Sequence, residues 1–196
     1  MKHDKLFSTN VYLIDDVIDK NSLSVIKKDI ISTYNQVTQN WQSKANLHKN
    51  SLYNNLTKTI VQYTKNVFDS LNYEYEGFNI TDMWSNVLKP GETHRPHTHS
   101  NNLLSGVFYL NSEFPATPIQ FFDPRVQSSV LAPRKEPNKY NSNMVQFNCL
   151  PCTGYIFPAW LQHWVPPTPV DRVSISWNIL VRGQYGETET FQNANI

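Results

Sequence analysis

Cysteine is almost missing: Cys149 and Cys152 are the only two in 196 residues. A structural zinc site asks for a second pair of ligands of this kind, and there is none. A thioredoxin-like centre would need Cys149-Leu150-Pro151-Cys152 to open a helix, whereas Pro151, Thr153 and Gly154 read as a turn into another strand. Two reduced thiols beside a turn are expected. Charge of one sign is also missing, since 17 Lys and Arg balance 16 Asp and Glu to a formal +1. No run of Lys or Arg concentrates that charge, so nucleic acid is not an expected partner. Long apolar runs are absent as well. The longest, 103–110, is broken by Ser105 and Gly106 and falls far short of the roughly 20 residues that span a bilayer. The opening Met1-Lys2-His3-Asp4-Lys5 leads into no apolar core with a cleavage site, so residence in a cytoplasm is expected, a host's if the source is viral. There is no internal repeat, linker or low-complexity tract.

With 39% hydrophobic and 17% charged residues, the chain has the length and composition of one globular domain over 1–196. Two helical patterns occupy the first third. Leu23, Ile26, Ile30, Tyr34 and Val37 recur at three- and four-residue steps behind an Asn21 or Ser22 cap. Leu56, Ile60, Val61, Val67, Phe68 and Leu71 form the second pattern, with a polar loop expected over 39–50 between them. A half-buried strand is expected over 6–14. After about residue 72 helical periodicity gives way to Tyr, Phe, Trp, Val and Ile punctuated by Pro and Gly. Strands are expected at 78–88, 97–99 continuing after a short turn into 103–110, 119–122, 144–147, 154–157, 163–165 and 173–181. So many short strands imply a sandwich or barrel, mainly β with flanking helices. The stretch 124–143, with three prolines and few apolar anchors, reads as a long excursion of the kind that forms lids or binding loops.

Three histidines stand out. In an extended strand side chains two apart share a face, so His97 and His99 could offer two imidazoles to one ion. His163 could supply a third from a neighbouring strand, and imidazole suits iron, zinc, copper and nickel alike. His94, close by, reads as an ordinary surface or rim residue. Nine residues after His163 comes Arg172, and alternation puts Val173, Ile175 and Trp177 on one strand face with Arg172, Ser174, Ser176 and Asn178 on the other. A buried Arg on that polar face would require an anionic partner. Trp84, Trp160, Trp164 and Trp177 read as core or rim aromatics.

Taken in order, Lys89-Pro90-Gly91, His97-Thr98-His99, the strand Ser105 to Asn111, Phe122-Asp123-Pro124-Arg125, Gly154-Tyr155-Ile156-Phe157-Pro158, His163 and Arg172-Val173-Ser174-Ile175-Ser176-Trp177-Asn178 resemble the iron(II)- and 2-oxoglutarate-dependent oxygenases. Within that family the chain looks like the small prolyl-hydroxylase-like proteins of bacteria and phages, and the likeness covers roughly 78–181. The resemblance implies a double-stranded β-helix, a cupin-like jelly roll, over roughly 73–182 with helical support over roughly 15–72. It implies Fe(II), 2-oxoglutarate and O2 as cofactor and co-substrates, and an unknown substrate, peptide or small molecule, whose hydroxylation releases succinate and CO2. It maps His97 and His163 onto metal ligands and Arg172 onto the 2-oxoglutarate carboxylate, with Tyr109 and Asn178 as helpers. Asp123, Arg125 and Trp84 become candidates for contact with substrate or for support of the metal, and 124–143 for a lid over the substrate.

One position departs from the pattern. The family carries His-x-Asp where this chain carries His97-Thr98-His99. Three readings stand open: a three-histidine iron site, a carboxylate brought from elsewhere with Asp123 as the nearest candidate, or a site without iron chemistry. Asn101 is a further, weak candidate by the same two-residue spacing. Two rival functions follow. One is a cupin-like three-histidine metalloprotein that does not use 2-oxoglutarate; the other is a metal-free jelly-roll binding protein.

Overall fold

The computed structural model describes residues 2, 4, 6–15, 17–110, 116–125, 131 and 133–196. Asn111 of the strand motif, and 126–130 with 132 of the excursion, lie outside the described residues.

Two antiparallel sheets face each other. The larger has the order β1 (Tyr12–Ile14), β8 (Gly154–Pro158), β5 (Leu104–Tyr109), β10 (Arg172–Arg182), β3 (Gly77–Leu88) and β2 (Trp41–Gln42). The smaller runs β4 (His94–His97), β9 (His163–Val165), β6 (Ala116–Phe122) and β7 (Met144–Cys149). Apart from the consecutive pairs β2–β3 and β6–β7, neighbours in each sheet are separated by other strands in sequence, as in a jelly roll. A two-stranded ribbon, β11 (Gln184–Tyr185) with β12 (Ala194–Asn195), stands apart.

The helices cover the outer face of the larger sheet. α1 (Lys20–Thr33) starts at Asp19, whose carboxylate accepts from the backbone N–H groups of Asn21 and Ser22 at 2.9 Å, so the cap precedes the expected one. Its buried stripe is Ile26 and Ile30; Val37 lies beyond the helix and is exposed. α2 (Asn54–Ser70) buries Leu56, Ile60, Thr64, Val67 and Phe68. Thr64 is tolerated there because its hydroxyl donates to the Ile60 carbonyl at 2.8 Å. Both stripes join one cluster with Met83, Phe108, Ile156, Ile175, Trp177 and Ile179. A second cluster, including Val107, Ile119, Phe121, Tyr155 and Phe157, fills the space between the sheets.

Three expectations are corrected. The first strand is confined to Tyr12–Ile14 rather than spanning 6–14. The polar loop after α1 contains β2, which adds an edge to the larger sheet through Trp41 paired with Val87. Trp41 can do this because Tyr34, just past α1, packs edge-on against its indole at 5.5 Å. The strand bearing the first histidines ends at His97, and β5 begins only at Leu104. Between them Asn101 adopts φ 61°, a left-handed turn conformation that asparagine accepts readily.

At Gly106 only a missing Cβ allows the sheet to close. An added methyl would overlap the indole of Trp177, its cross-strand partner and a fully buried side chain. Cys149 and Cys152 flank the turn from β7 to β8 as free thiols, as the sequence implies. Burial pushes the Cys149 thiol up to about 11, so it stays protonated near neutral pH. No helix among the described residues is long and apolar enough to cross a membrane.

Candidate metal and co-substrate site

His163 sits at the start of β9, in the middle of the smaller sheet. It pairs directly with His97 on β4 and with Phe121 on β6. Its ring packs edge-on against Phe157 at 4.9 Å and is 4% exposed. His99 arrives differently from the expected strand alternation. It follows the end of β4, and its backbone N–H donates to the Ala159 carbonyl at 2.9 Å, which holds the segment over the turn before β9. Trp84 on β3 packs on the other side of the His99 ring at 5.9 Å.

The three rings converge. One ligating nitrogen from each of His97, His99 and His163 lies within 4.8 Å of the other two, and the Nε2 atoms of His99 and His163 are 3.4 Å apart. Two nitrogens each about 2.1 Å from one ion lie ~3.0–3.5 Å apart, so the spacing fits a shared cation. The outward nitrogens support that orientation. His97 Nδ1 lies 2.7 Å from the Arg95 carbonyl and His163 Nδ1 lies 2.9 Å from the Leu161 carbonyl. A carbonyl only accepts, so each Nδ1 carries the proton and each Nε2 is left with a free lone pair. The donor set is all imidazole, and no carboxylate joins it among the described residues. Asp123, the sequence's carboxylate candidate, is instead paired with Arg125 at 2.9 Å, and Asn101 is an exposed turn residue.

From this cluster a cavity of about 430 Å³ runs between the sheets toward the start of β10. Its apolar side is Val107, Ile119, Phe157 and Val165; its polar side includes Asn40, Gln42, Asn86, Thr93 and Arg95. Arg172 lines its far end and is 2% exposed. The guanidinium lies over the Tyr109 ring at 4.9 Å and donates from Nη1 to the Ser174 hydroxyl at 3.2 Å. Yet it makes no ion pair with a carboxylate among the described residues, and both Arg172 Nε and the Tyr109 hydroxyl lack a hydrogen-bond partner. Removing a charge from water costs several kcal/mol in a protein, so a buried, uncompensated guanidinium marks a place built for an anion. The predicted polar face of β10 is therefore observed for Arg172, Ser174 and Ser176, all cavity-lining. Asn178, on the same face, is spent otherwise: its side-chain oxygen accepts from Ser105 at 2.8 Å, and it does not line the cavity. Trp84 does line it; Asp123, Arg125 and the described residues of the 124–143 excursion do not.

His94 is the residue that sequence reasoning missed. In a regular strand residues three apart face opposite sides, which is why it reads as a rim group. Here the register shifts: His94 pairs with Val165 and His97 with His163, so three steps on β4 match two on β9. The bulge at Arg95 and Pro96 turns His94 to the same wall as His97, and it lines the cavity. Pro96 was the available signal, because proline inside a strand often marks such a bulge.

Burial keeps three of these rings neutral. Desolvation pushes His94 down to about 4, with the Arg172 charge adding to the effect, His99 to about 4 and His163 to about 3. In the unfolded chain such rings titrate near 6.5, so below that pH the unfolded state binds more protons than the folded one. The stability that neutral rings allow is complete above about pH 6.5 and is lost as pH falls toward about 4. The urea midpoint of the metal-free protein is accordingly expected to fall between about pH 7 and about pH 5. Replacing His163 by Phe should flatten that fall, and an unchanged slope would contradict it.

The comparisons agree with this geometry. A family model described as "Putative 2OG-Fe(II) oxygenase" matches residues 82–178, the span that carries all three converging histidines and Arg172. Among solved structures, a prolyl-4-hydroxylase from Pseudomonas putida superposes with TM-score 0.64 at 13% identity, over 91% of this chain and 96% of that one. A viral collagen prolyl hydroxylase from Paramecium Bursaria Chlorella virus-1, solved as a 2OG complex, gives 0.58 at 13% identity, over 86% and 94%. HygX from Streptomyces hygroscopicus, with nickel and 2-oxoglutarate bound, gives 0.58 at 8% identity, over 87% and 81%. No curated protein sequence matches. At such identities the superpositions speak for the double-stranded β-helix fold, while the family match covers the site-bearing strands themselves. The chain belongs to the 2OG-Fe(II) oxygenase family, oxidoreductases that work with iron(II) and 2-oxoglutarate.

Proposed function

We propose that the protein hydroxylates an unreactive C–H bond of a peptidyl residue, holding iron(II) through His97, His99 and His163 and the distal carboxylate of 2-oxoglutarate through Arg172. When bound, iron(II) and 2-oxoglutarate supply the oxidation: dioxygen gives one oxygen atom to substrate and one to succinate, and CO2 is released. The chain supplies everything else. His97 and His163 are held by backbone carbonyls with their free nitrogens inward, and His99 is braced by Trp84. Arg172, Ser174 and Tyr109 offer charge-assisted and neutral donors to one carboxylate. Val107, Ile119, Phe157 and Val165 exclude water along the carbon chain between the two ends.

The observation that carries this reading is the buried Arg172 guanidinium, without a carboxylate partner among the described residues, at the end of a cavity shared with three converging imidazoles. A peptide is supported on the substrate side by the polar wall, where Asn40 and Gln42 present amides that can pair with peptide groups. Among the structural neighbours, a Trichoplax adhaerens prolyl hydroxylase was solved with a hypoxia inducible factor peptide fragment. The all-histidine donor set favours one rival, a three-histidine metalloprotein that uses no 2-oxo acid.

Anaerobic addition of iron(II) and then 2-oxoglutarate separates the two. A visible charge-transfer band, followed by succinate on admitting oxygen, is expected. Tight iron binding with neither band nor succinate would establish the rival.

A further inference from the structure

Resting on that reading, we infer that His94 is a second anchor for the co-substrate, its ring N–H donating to the distal carboxylate beside Arg172. Four observations lead there. The ring lines the cavity, yet no hydrogen bond is made by either of its nitrogens among the described residues. With no protein acceptor among the described residues taking its N–H, the ring is available to a ligand that enters the cavity. Burial keeps the ring neutral, and a neutral imidazole always has one N–H to donate.

Position fixes which end of the co-substrate it meets. His97 pairs with His163 at the metal end of β9, whereas His94 pairs with Val165 at the other end of the same short strand. Arg172 opens β10 at that same end of the barrel: it pairs with Leu88, the Gly91 N–H donates to the Thr168 carbonyl at 2.8 Å, the Thr93 hydroxyl donates to the Val165 carbonyl at 2.6 Å, and Arg172 and His94 line one cavity. The β4 bulge therefore gives one strand two tasks: His97 toward the metal, His94 toward the anion.

A donor at that point also bears on selection. Arg172 alone attracts any anion, but a guanidinium with an imidazole N–H and the Ser174 and Tyr109 hydroxyls surrounds both oxygens of one carboxylate. The pocket would then discriminate a 2-oxo dicarboxylic acid from a 2-oxo acid that ends in a methyl group.

The test uses the whole chain loaded with manganese(II), which binds without turning over, and measures binding by titration calorimetry. For His94→Phe, which keeps ring volume, the Kd of 2-oxoglutarate and of N-oxalylglycine should rise roughly ten- to a hundred-fold. The Kd of manganese(II) should not change, nor should that of pyruvate, which lacks the distal carboxylate. His94→Gln, which restores an N–H donor, should recover part of the loss. Unchanged 2-oxoglutarate affinity in His94→Phe, or an equal loss for pyruvate, would overturn the assignment, as would weakened manganese(II) binding. If the unaltered protein binds no 2-oxoglutarate at all, the co-substrate reading of the cavity falls first, and this inference falls with it.

Discussion

Replacing Arg172 with Met is expected to weaken 2-oxoglutarate binding by roughly a hundred- to several-thousand-fold while leaving metal affinity intact. The figure follows from the ~3–5 kcal/mol cost of breaking a buried charge pair by removing one partner. The companion expectation concerns the protein without co-substrate. There the guanidinium is buried with Nε unsatisfied and no carboxylate paired with it among the described residues, so Met should leave the melting temperature unchanged or raise it. Few substitutions separate the two effects so cleanly: a merely structural arginine would show lost stability and an unchanged ligand Kd. Arg172→Lys should fall between, since an ammonium keeps the charge but cannot present two parallel donors. Titration calorimetry of the manganese(II) form, alongside thermal melts of the metal-free form, reads both.

The second large effect is expected at His99. Removing its ring by His99→Ala should reduce iron(II) affinity on the order of a hundred-fold, if three ligands share a binding free energy of ~10 kcal/mol about equally. His99→Asp should retain binding, because a carboxylate at a position the backbone already holds can ligate iron in place of the imidazole. The Ala159 carbonyl fixes the residue through its backbone N–H, so the exchange does not disturb the strand end. Equilibrium dialysis under nitrogen, or the visible spectrum of the cobalt(II) form, measures the change. An iron affinity in His99→Ala equal to that of the unaltered protein would remove His99 from the ligand set and reopen the question of a third donor.

Where side-chain pattern and backbone regularity coincide, the chain is legible. Alternation along 172–178 places Arg172 and Ser174 on one face correctly, and the strand bearing His163 has the expected limits. Both lie in regular strands, where a period of two holds. Legibility fails at irregular backbone. His97 and His99 do converge, but through a strand end and a carbonyl contact with Ala159 rather than a shared pleat. His94 faces the cavity only because β4 carries a bulge. The edge strand β2 has too few residues for any periodicity and exists because Trp41 packs under Tyr34. Asn178 shows the converse error: a residue on the right face can still have its hydrogen-bonding capacity taken by a neighbour, here Ser105.

Strand order has a bearing on how the molecule is made. β3 finds its longest partner in β10, and β5 lies between β10 and β8. During synthesis the early half of the larger sheet therefore waits, its edge unpaired, until the late strands leave the ribosome. The same late segment brings His163 and Arg172. An ion shared by His97, His99 and His163 would therefore be taken up only once β9 has paired with β4, which couples its binding to the closing of the smaller sheet.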